Sequence, residues 1–157
     1  MRICFVCSGN ICRSPSAEIV MRALVADAGL ADEVEMCSAG LGDWHVGEGT
    51  DRRSLEALTV RGYDGTRHRA RQFDPGWFAD HDLIVAMDRS HLRDLRRMAG
   101  PGESEKVRLL TSFGPDATDE DVADPYYGGP DGFTNVLDVI EAGCRALLTD
   151  IRSSLRT

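Results

Sequence analysis

Arg2-Ile3-Cys4-Phe5-Val6 runs directly into Cys7-Ser8-Gly9-Asn10-Ile11-Cys12-Arg13-Ser14-Pro15, and the reading of this stretch decides the fold. Residues 2–6 are an apolar run suited to a parallel strand buried on both faces. Gly9 and Asn10 accept the backbone angles of a tight loop, and Pro15 suits a first helical turn. From Pro15 onward Ala17, Val20, Met21, Leu24 and Ala28 recur at helical spacing until Gly29 stops the pattern. Strand, tight loop and helix follow one another without a spacer.

Working outward, the same alternation continues. Val34 to Ala39 is a second short strand, broken by Gly40 and Gly42. Asp51 can cap a helix carrying Leu55, Leu58 and Val60, with Gly62 at its C-terminal end. Asp82 to Met87 is the best central strand, and a charged helix around Leu92, Leu95 and Met98 follows, ended by Gly100 and Pro101. Val107 to Leu110 makes a fourth strand. The last helix is expected from about Asn135 to Leu155, with Val136, Ile140, Gly143, Leu147 and Ile151 on one face. Alternating β and α elements predict a parallel sheet with helices on both faces, whose ligand site lies at the carboxyl ends of the strands. The first strand delivers Cys7 to that end.

The composition fits a globular enzyme of one domain, 1–157: 42% apolar, 28% charged and no low-complexity linker. A net charge of −8 argues against nucleic-acid or anionic-membrane partners, although a local cradle can still hold an anion. The first residues offer one arginine and a short apolar strand rather than the long apolar core of a signal peptide, so a cytoplasmic location is expected. Five cysteines, an odd number, suggest free thiols rather than a disulfide framework.

The chemistry follows from the loop. A helix start carries unsatisfied N–H donors and partial positive charge, which favour anions and favour thiolate over thiol. A cysteine nucleophile inside a phosphate cradle reads as phosphoryl transfer through a phosphocysteine intermediate. Such a reaction still needs an acid to protonate the leaving alkoxide or phenoxide. The segment Gly114 to Thr134 supplies Asp124, followed by Pro125, Tyr126 and Tyr127 as a wall. Its other acids, Asp116, Asp119, Glu120, Asp121 and Asp131, read as a solvated charged loop.

These residues resemble the low-molecular-weight protein tyrosine phosphatase family over nearly the whole chain. The likeness rests on Val6 to Pro15, on Ser38-Ala39-Gly40, on His68-Arg69-Ala70-Arg71-Gln72, on Met87-Asp88 and on Asp124-Pro125-Tyr126-Tyr127-Gly128. It implies a flavodoxin-like three-layer sandwich, a four-stranded parallel sheet flanked by helices on both faces. It implies no metal or organic cofactor, phosphotyrosine-containing proteins or peptides as substrates, inorganic phosphate as product, and a monomer by default. Carried over residue by residue, Cys7 would attack, Arg13 would grip the phosphoryl oxygens and Asp124 would act as general acid. Backbone amides of Ser8, Gly9, Asn10, Ile11, Cys12 and Arg13 would hold the remaining oxygens, and Ser14 would donate to the thiolate. Asn10, Ser14, Ser38 and His68 would form a supporting hydrogen-bond network, and Trp44, Tyr126 and Tyr127 would rim the pocket.

Several positions admit a plainer reading. From the residues alone, His68 within Arg67-His68-Arg69-Ala70-Arg71 serves equally as a solvated surface histidine. Trp44, in a glycine-flanked loop, could anchor core instead. Asp88 could orient neighbours or simply cap the next helix. Cys12, in the loop of Cys7, is expected to resolve an oxidised Cys7 as a disulfide, against a plain role as a small buried side chain. A thioredoxin-coupled arsenate reductase is the nearest rival enzyme, but residues 75–105 hold no relay cysteine. Zinc on Cys4 and Cys7 with Cys12 and Cys37 is disfavoured, because Cys4 and Cys7 face opposite sides of one strand. A non-catalytic phosphate-binding module is disfavoured by the joint presence of nucleophile, arginine and acid. Ser8, where bulkier residues are common, and Leu41, where a small or polar one is expected, depart from the family pattern and leave substrate preference open.

Overall fold

The computed structural model describes residues 1–125 and 131–156. Four parallel strands, β1 (Arg2–Cys7), β2 (Glu35–Gly40), β3 (Leu83–Ala86) and β4 (Val107–Leu109), form one sheet in the order β2-β1-β3-β4. Around it lie α1 (Arg13–Asp27), α2 (Arg52–Val60), the short α3 (Trp77–Asp80), α4 (Arg89–Met98) and α5 (Gly132–Arg156). The order is that of a flavodoxin-like sandwich, whose switch point lies where neighbouring connections diverge. Here that point is β1 between β2 and β3, and β1 ends in Cys7.

Side-chain alternation along β1 divides the core in two. Ile3, Phe5 and Cys7 pack with α1, α2 and α5, whereas Cys4 and Val6 pack with Phe73, Phe78 of α3 and Leu95 of α4. Both faces are thus apolar, which is why the strand reads as a continuous hydrophobic run. Burying each large side chain of this kind stabilises the fold by about 1.5–3 kcal/mol relative to leaving it in water.

The helix starts are chemically specified. Asp51 caps α2 by accepting from the Arg53 and Ser54 amides, and Asp88 caps α4 by accepting from the His91 amide. Gly62 closes α2 with a φ of 87°, a left-handed conformation that glycine adopts without a Cβ clash.

Some boundaries differ from expectation. Helix α1 begins at Arg13 rather than Pro15, so the arginine belongs to the first turn. Strand β4 stops at Leu109 because Leu110 opens a 3-10 turn packed against α5. The short α3 was not foreseen; at four residues it carries too little periodicity to read. Val60 does not share the inward face of Leu58. It is 87% exposed while Leu58 is fully buried, since a separation of two residues turns a helix through about 200°. Leu58→Ala should therefore cost about 2–5 kcal/mol in a denaturant melt, against less than about 0.5 kcal/mol for Val60→Ala. Equal losses would show that α2 is docked by another face.

Candidate active site

The loop between β1 and α1 is held by Asn10. Its φ is 59° and its side chain is fully buried. Asn10 Nδ2 donates to Ser14 Oγ at 2.9 Å and to Ser38 Oγ at 3.0 Å, while Oδ1 accepts from the Arg71 amide at 3.0 Å. The Asn10 carbonyl accepts from His68 Nε2 at 2.7 Å, and its amide donates to Cys7 Sγ at 3.3 Å. His68 is thus drawn off the surface against the loop, with burial as the main cause holding its pKa below the ordinary histidine value. Ser38 passes its own hydroxyl hydrogen on to Glu18 Oε1 at 2.7 Å.

Cys7 Sγ lies 2.9 Å from Ser14 Oγ. Because the Ser14 oxygen already accepts from Asn10, its single hydrogen is available either to the Ala39 carbonyl at 3.4 Å or to the sulfur. A thiolate at Cys7 would take it, having no hydrogen of its own to give.

Arg13 is 5% exposed, so its charge must be paired. Its Nη1 donates to Asp88 Oδ2 at 2.9 Å and to the Val122 carbonyl at 3.0 Å, and Nη2 lies 3.7 Å from Asp124 Oδ2. Both readings of Asp88 hold at once: Oδ2 meets Arg13 while Oδ1 accepts from Ser90 and the His91 amide. Burial opposes the Asp88 charge, but the Ser90 and His91 hydrogen bonds with His91 and Arg13 beside it hold the carboxyl below the usual range.

His91 is a residue that sequence reading missed. It is 2% exposed, and its Nε2 shares a hydrogen bond with Ser8 Oγ at 2.8 Å. Burial brings its pKa down to about 4 despite Asp88, so the ring is neutral at neutral pH. Ser8, the small residue beside Cys7, is therefore tied to α4. Only helical spacing could have flagged His91, as a polar residue one turn before Leu95 on the buried face.

A cavity of about 390 Å³ has Cys7, Gly9, Cys12 and Arg13 among its lining residues, with Trp44, His45 and Asp124 along its edge. Trp44 is 70% exposed, which removes the core-anchor alternative and leaves the ring on the rim. His45 was not foreseen; its ring lies over Gly9, where a Cβ would meet His45 Cδ2 at 2.8 Å. Cys12 is buried, and that burial pushes its thiol up to about 12. Asp116, Asp119, Glu120, Asp121 and Asp131 are exposed, as a solvated loop requires, and Asp121 has a structural part besides: its Oδ1 accepts from the Arg89 amide at 2.9 Å and from Nε at 3.2 Å. With the Val122 amide on the Met87 carbonyl at 2.8 Å, this fixes the chain that feeds Asp124 into the site. Tyr126 and Tyr127 lie outside the described residues.

Gly40 explains why Ser38-Ala39-Gly40 belongs with this loop. A Cβ there would lie 2.8 Å from the Ser8 carbonyl oxygen and 3.1 Å from the Asn10 amide nitrogen, both backbone. Gly40→Ala should therefore displace the loop and lower aryl-phosphate turnover by about 10- to 100-fold, with a lower Tm. Wild-type kcat/KM in a folded Gly40→Ala protein would refute the close approach.

A sequence model of the low molecular weight phosphotyrosine protein phosphatase family matches residues 2–157. A low molecular weight protein-tyrosine-phosphatase of Streptomyces coelicolor is 54% identical over 98% of this chain and 95% of its own. Low molecular weight protein-tyrosine phosphatase A of Mycobacterium tuberculosis is 44% identical over 94% of this chain and 89% of its own. Among solved structures, a protein tyrosine phosphatase from Entamoeba histolytica with Hepes in the active site superposes with a TM-score of 0.93 at 32% identity, covering 98% of each chain. YfkJ from Bacillus subtilis gives 0.91 at 37% identity over 98% of this chain and 96% of that one. Fold, loop and likeness along the full chain agree: the protein belongs to the low-molecular-weight protein tyrosine phosphatase family, enzymes that hydrolyse phosphomonoesters through a cysteine.

Proposed function

We propose that this enzyme acts on phosphotyrosine in proteins or peptides, and on small aryl phosphates, with Cys7 as nucleophile, Arg13 as transition-state clamp and Asp124 as general acid. The observation that carries the assignment is the convergence of Cys7, Arg13 and Asp124 on one cavity. Cys12, at the N-cap of α1, makes no side-chain cap bond, so the first-turn amides are available to an anion. Amides from Ser8 to Arg13 and the Ser14 end of the loop cradle the phosphoryl oxygens. Arg13, anchored through Nη1, presents its planar fork to two of them.

The Cys7 thiolate attacks phosphorus as the bond to the tyrosine oxygen breaks, and Asp124 gives its proton to the departing phenoxide. The Asp124 carboxylate then takes a proton from water, which attacks the phosphocysteine and releases inorganic phosphate. The Ser14 hydroxyl donates to the thiolate that leaves. Neither step draws on a cofactor. Trp44 offers a ring face to the substrate, and Tyr126 and Tyr127 complete the rim by resemblance. The same reading takes 1–157 as one phosphatase domain working as a cytoplasmic monomer; the acidic balance of −8 supports substrates other than nucleic acid or anionic membrane.

Cys12 adds redox protection. Hydrogen peroxide oxidises Cys7 to a sulfenic acid, and the Cys12 thiol displaces its hydroxyl, giving a Cys7–Cys12 disulfide and one water. The raised pKa of Cys12 makes this exchange slow while the loop stays closed.

Phosphotyrosine-peptide hydrolysis should vanish in Cys7→Ser and fall about 100- to 1,000-fold in kcat in Asp124→Asn. Turnover that survives Cys7→Ser, or none by folded, reduced wild type, would overturn the assignment. After peroxide treatment, wild type should regain activity with a thiol reductant and Cys12→Ser should not. Equal recovery would remove Cys12 from the redox step.

A further inference from the structure

Register places Cys4 of β1 directly beside Cys37 of β2. Both side chains lie toward the core that holds α3 and α4, away from the layer in which Cys7 packs. His81, at the C-terminal end of α3, completes a trio: one ligand atom from each of Cys4, Cys37 and His81 lies within 4.8 Å of the other two. Cys4 is fully buried, His81 is 6% exposed and Cys37 is half-buried, so the trio opens to solvent on the Cys37 side.

The histidine is oriented as a ligand. Its Nδ1 lies 2.8 Å from the Trp77 carbonyl, which can only accept, so Nδ1 carries the hydrogen. In the neutral ring this leaves the Nε2 lone pair aimed at Cys37 Sγ, 3.5 Å away. A metal-bound histidine is fixed in the same way, by a backbone carbonyl on the nitrogen remote from the metal. Tetrahedral zinc with Zn–S near 2.3 Å and Zn–N near 2.0 Å sets its donors about 3.5–3.8 Å apart, and the Cys37–His81 separation already has that span.

We propose that Cys4, Cys37 and His81 form a site for a thiophilic cation, Zn²⁺, with one coordination position open to solvent. Two thiolates and an imidazole are the donor set that zinc prefers over the hard cations, which take oxygen. The parity argument against a Cys4–Cys7 zinc knuckle stands, because the second sulfur comes from the neighbouring strand instead. A bound ion would clamp edge strand β2 to β1 and to α3. The residue after Cys37 is Ser38, which accepts from Asn10, so the clamp would brace the loop from below.

The test uses Cys7→Ser/Cys12→Ser protein, which removes the thiols of the catalytic loop as competing ligands. Titration with Co²⁺ under reducing conditions should give one equivalent of a tetrahedral spectrum with a thiolate charge-transfer band, displaced by Zn²⁺. Adding Cys37→Ala or His81→Ala should weaken binding at least about tenfold. Each of these substitutions in the otherwise unchanged enzyme should leave turnover in the presence of chelator intact, which establishes that the variants fold. No charge-transfer band, or one undiminished by Cys37→Ala, would overturn the proposal.

Discussion

A fully buried asparagine with a φ of 59° is the constraint on which the active site hangs. An L-residue in this region carries a penalty on the order of 1 kcal/mol, lowest for Asn and Asp. Asn10 offsets it because every polar group it has finds a partner: Ser14 and Ser38 on the amide nitrogen, the Arg71 amide on the oxygen, His68 on the carbonyl. A buried amide satisfied on both ends is rigid, since any rotation leaves donors and acceptors unpaired in a low-dielectric interior. That rigidity is transmitted to Ser14, whose remaining hydrogen faces Cys7 Sγ. The loop is therefore shaped before substrate arrives, which is what electrostatic stabilisation of a transferring phosphoryl group requires.

Arg13 poses the second problem, because a guanidinium buried to 5% exposure is tolerable only when paired. Asp88 meets it with one oxygen and spends the other on the start of α4. Helix α4 in turn carries His91 back to Ser8. A closed circuit results, running from the loop to Arg13, Asp88, α4 and the loop again. Its histidine is held neutral by burial, so it contributes dipole and shape rather than charge. The chain as a whole carries −8, yet the cavity collects helix-start amides and an arginine. Local geometry, not net charge, decides what this surface attracts.

The parts of this arrangement that are local in sequence were legible there. β1, the loop and α1 are contiguous, and Asn10 and Pro15 declare their backbone roles individually, whereas Gly9 takes no positive φ and serves instead the close approach of His45. Ser38 and His68 could be paired with Asn10 only by resemblance, since the contacts span 28 and 58 residues. His91 and Ser8 are 83 residues apart, and nothing in either neighbourhood marks the bond. Val60 marks another limit: in a helix of nine residues few apolar positions define the inward face, and the one two residues after Leu58 points outward. Trp44 shows the reverse. Its glycine-flanked loop already pointed to the rim, with core anchoring as the alternative, and the 70% exposure of the ring decides between them.

The pleat of β1 gives the final constraint. Within one strand of six residues, Cys7 belongs to the layer of α1 and α5, and Cys4 to that of α3 and α4. An odd separation guarantees this whatever the surrounding sequence, because successive side chains alternate across the sheet. The thiol at the carboxyl end meets the Asn10 amide and the Ser14 hydroxyl, and the other meets a cysteine in register and a histidine whose proton is pinned elsewhere. Two sulfur environments three residues apart are thereby kept from reacting with each other, and insertion of a single residue between them would bring both to one face. The separation of phosphoryl chemistry from the second thiol cluster is thus a property of strand geometry, enforced by the same alternation that builds the core.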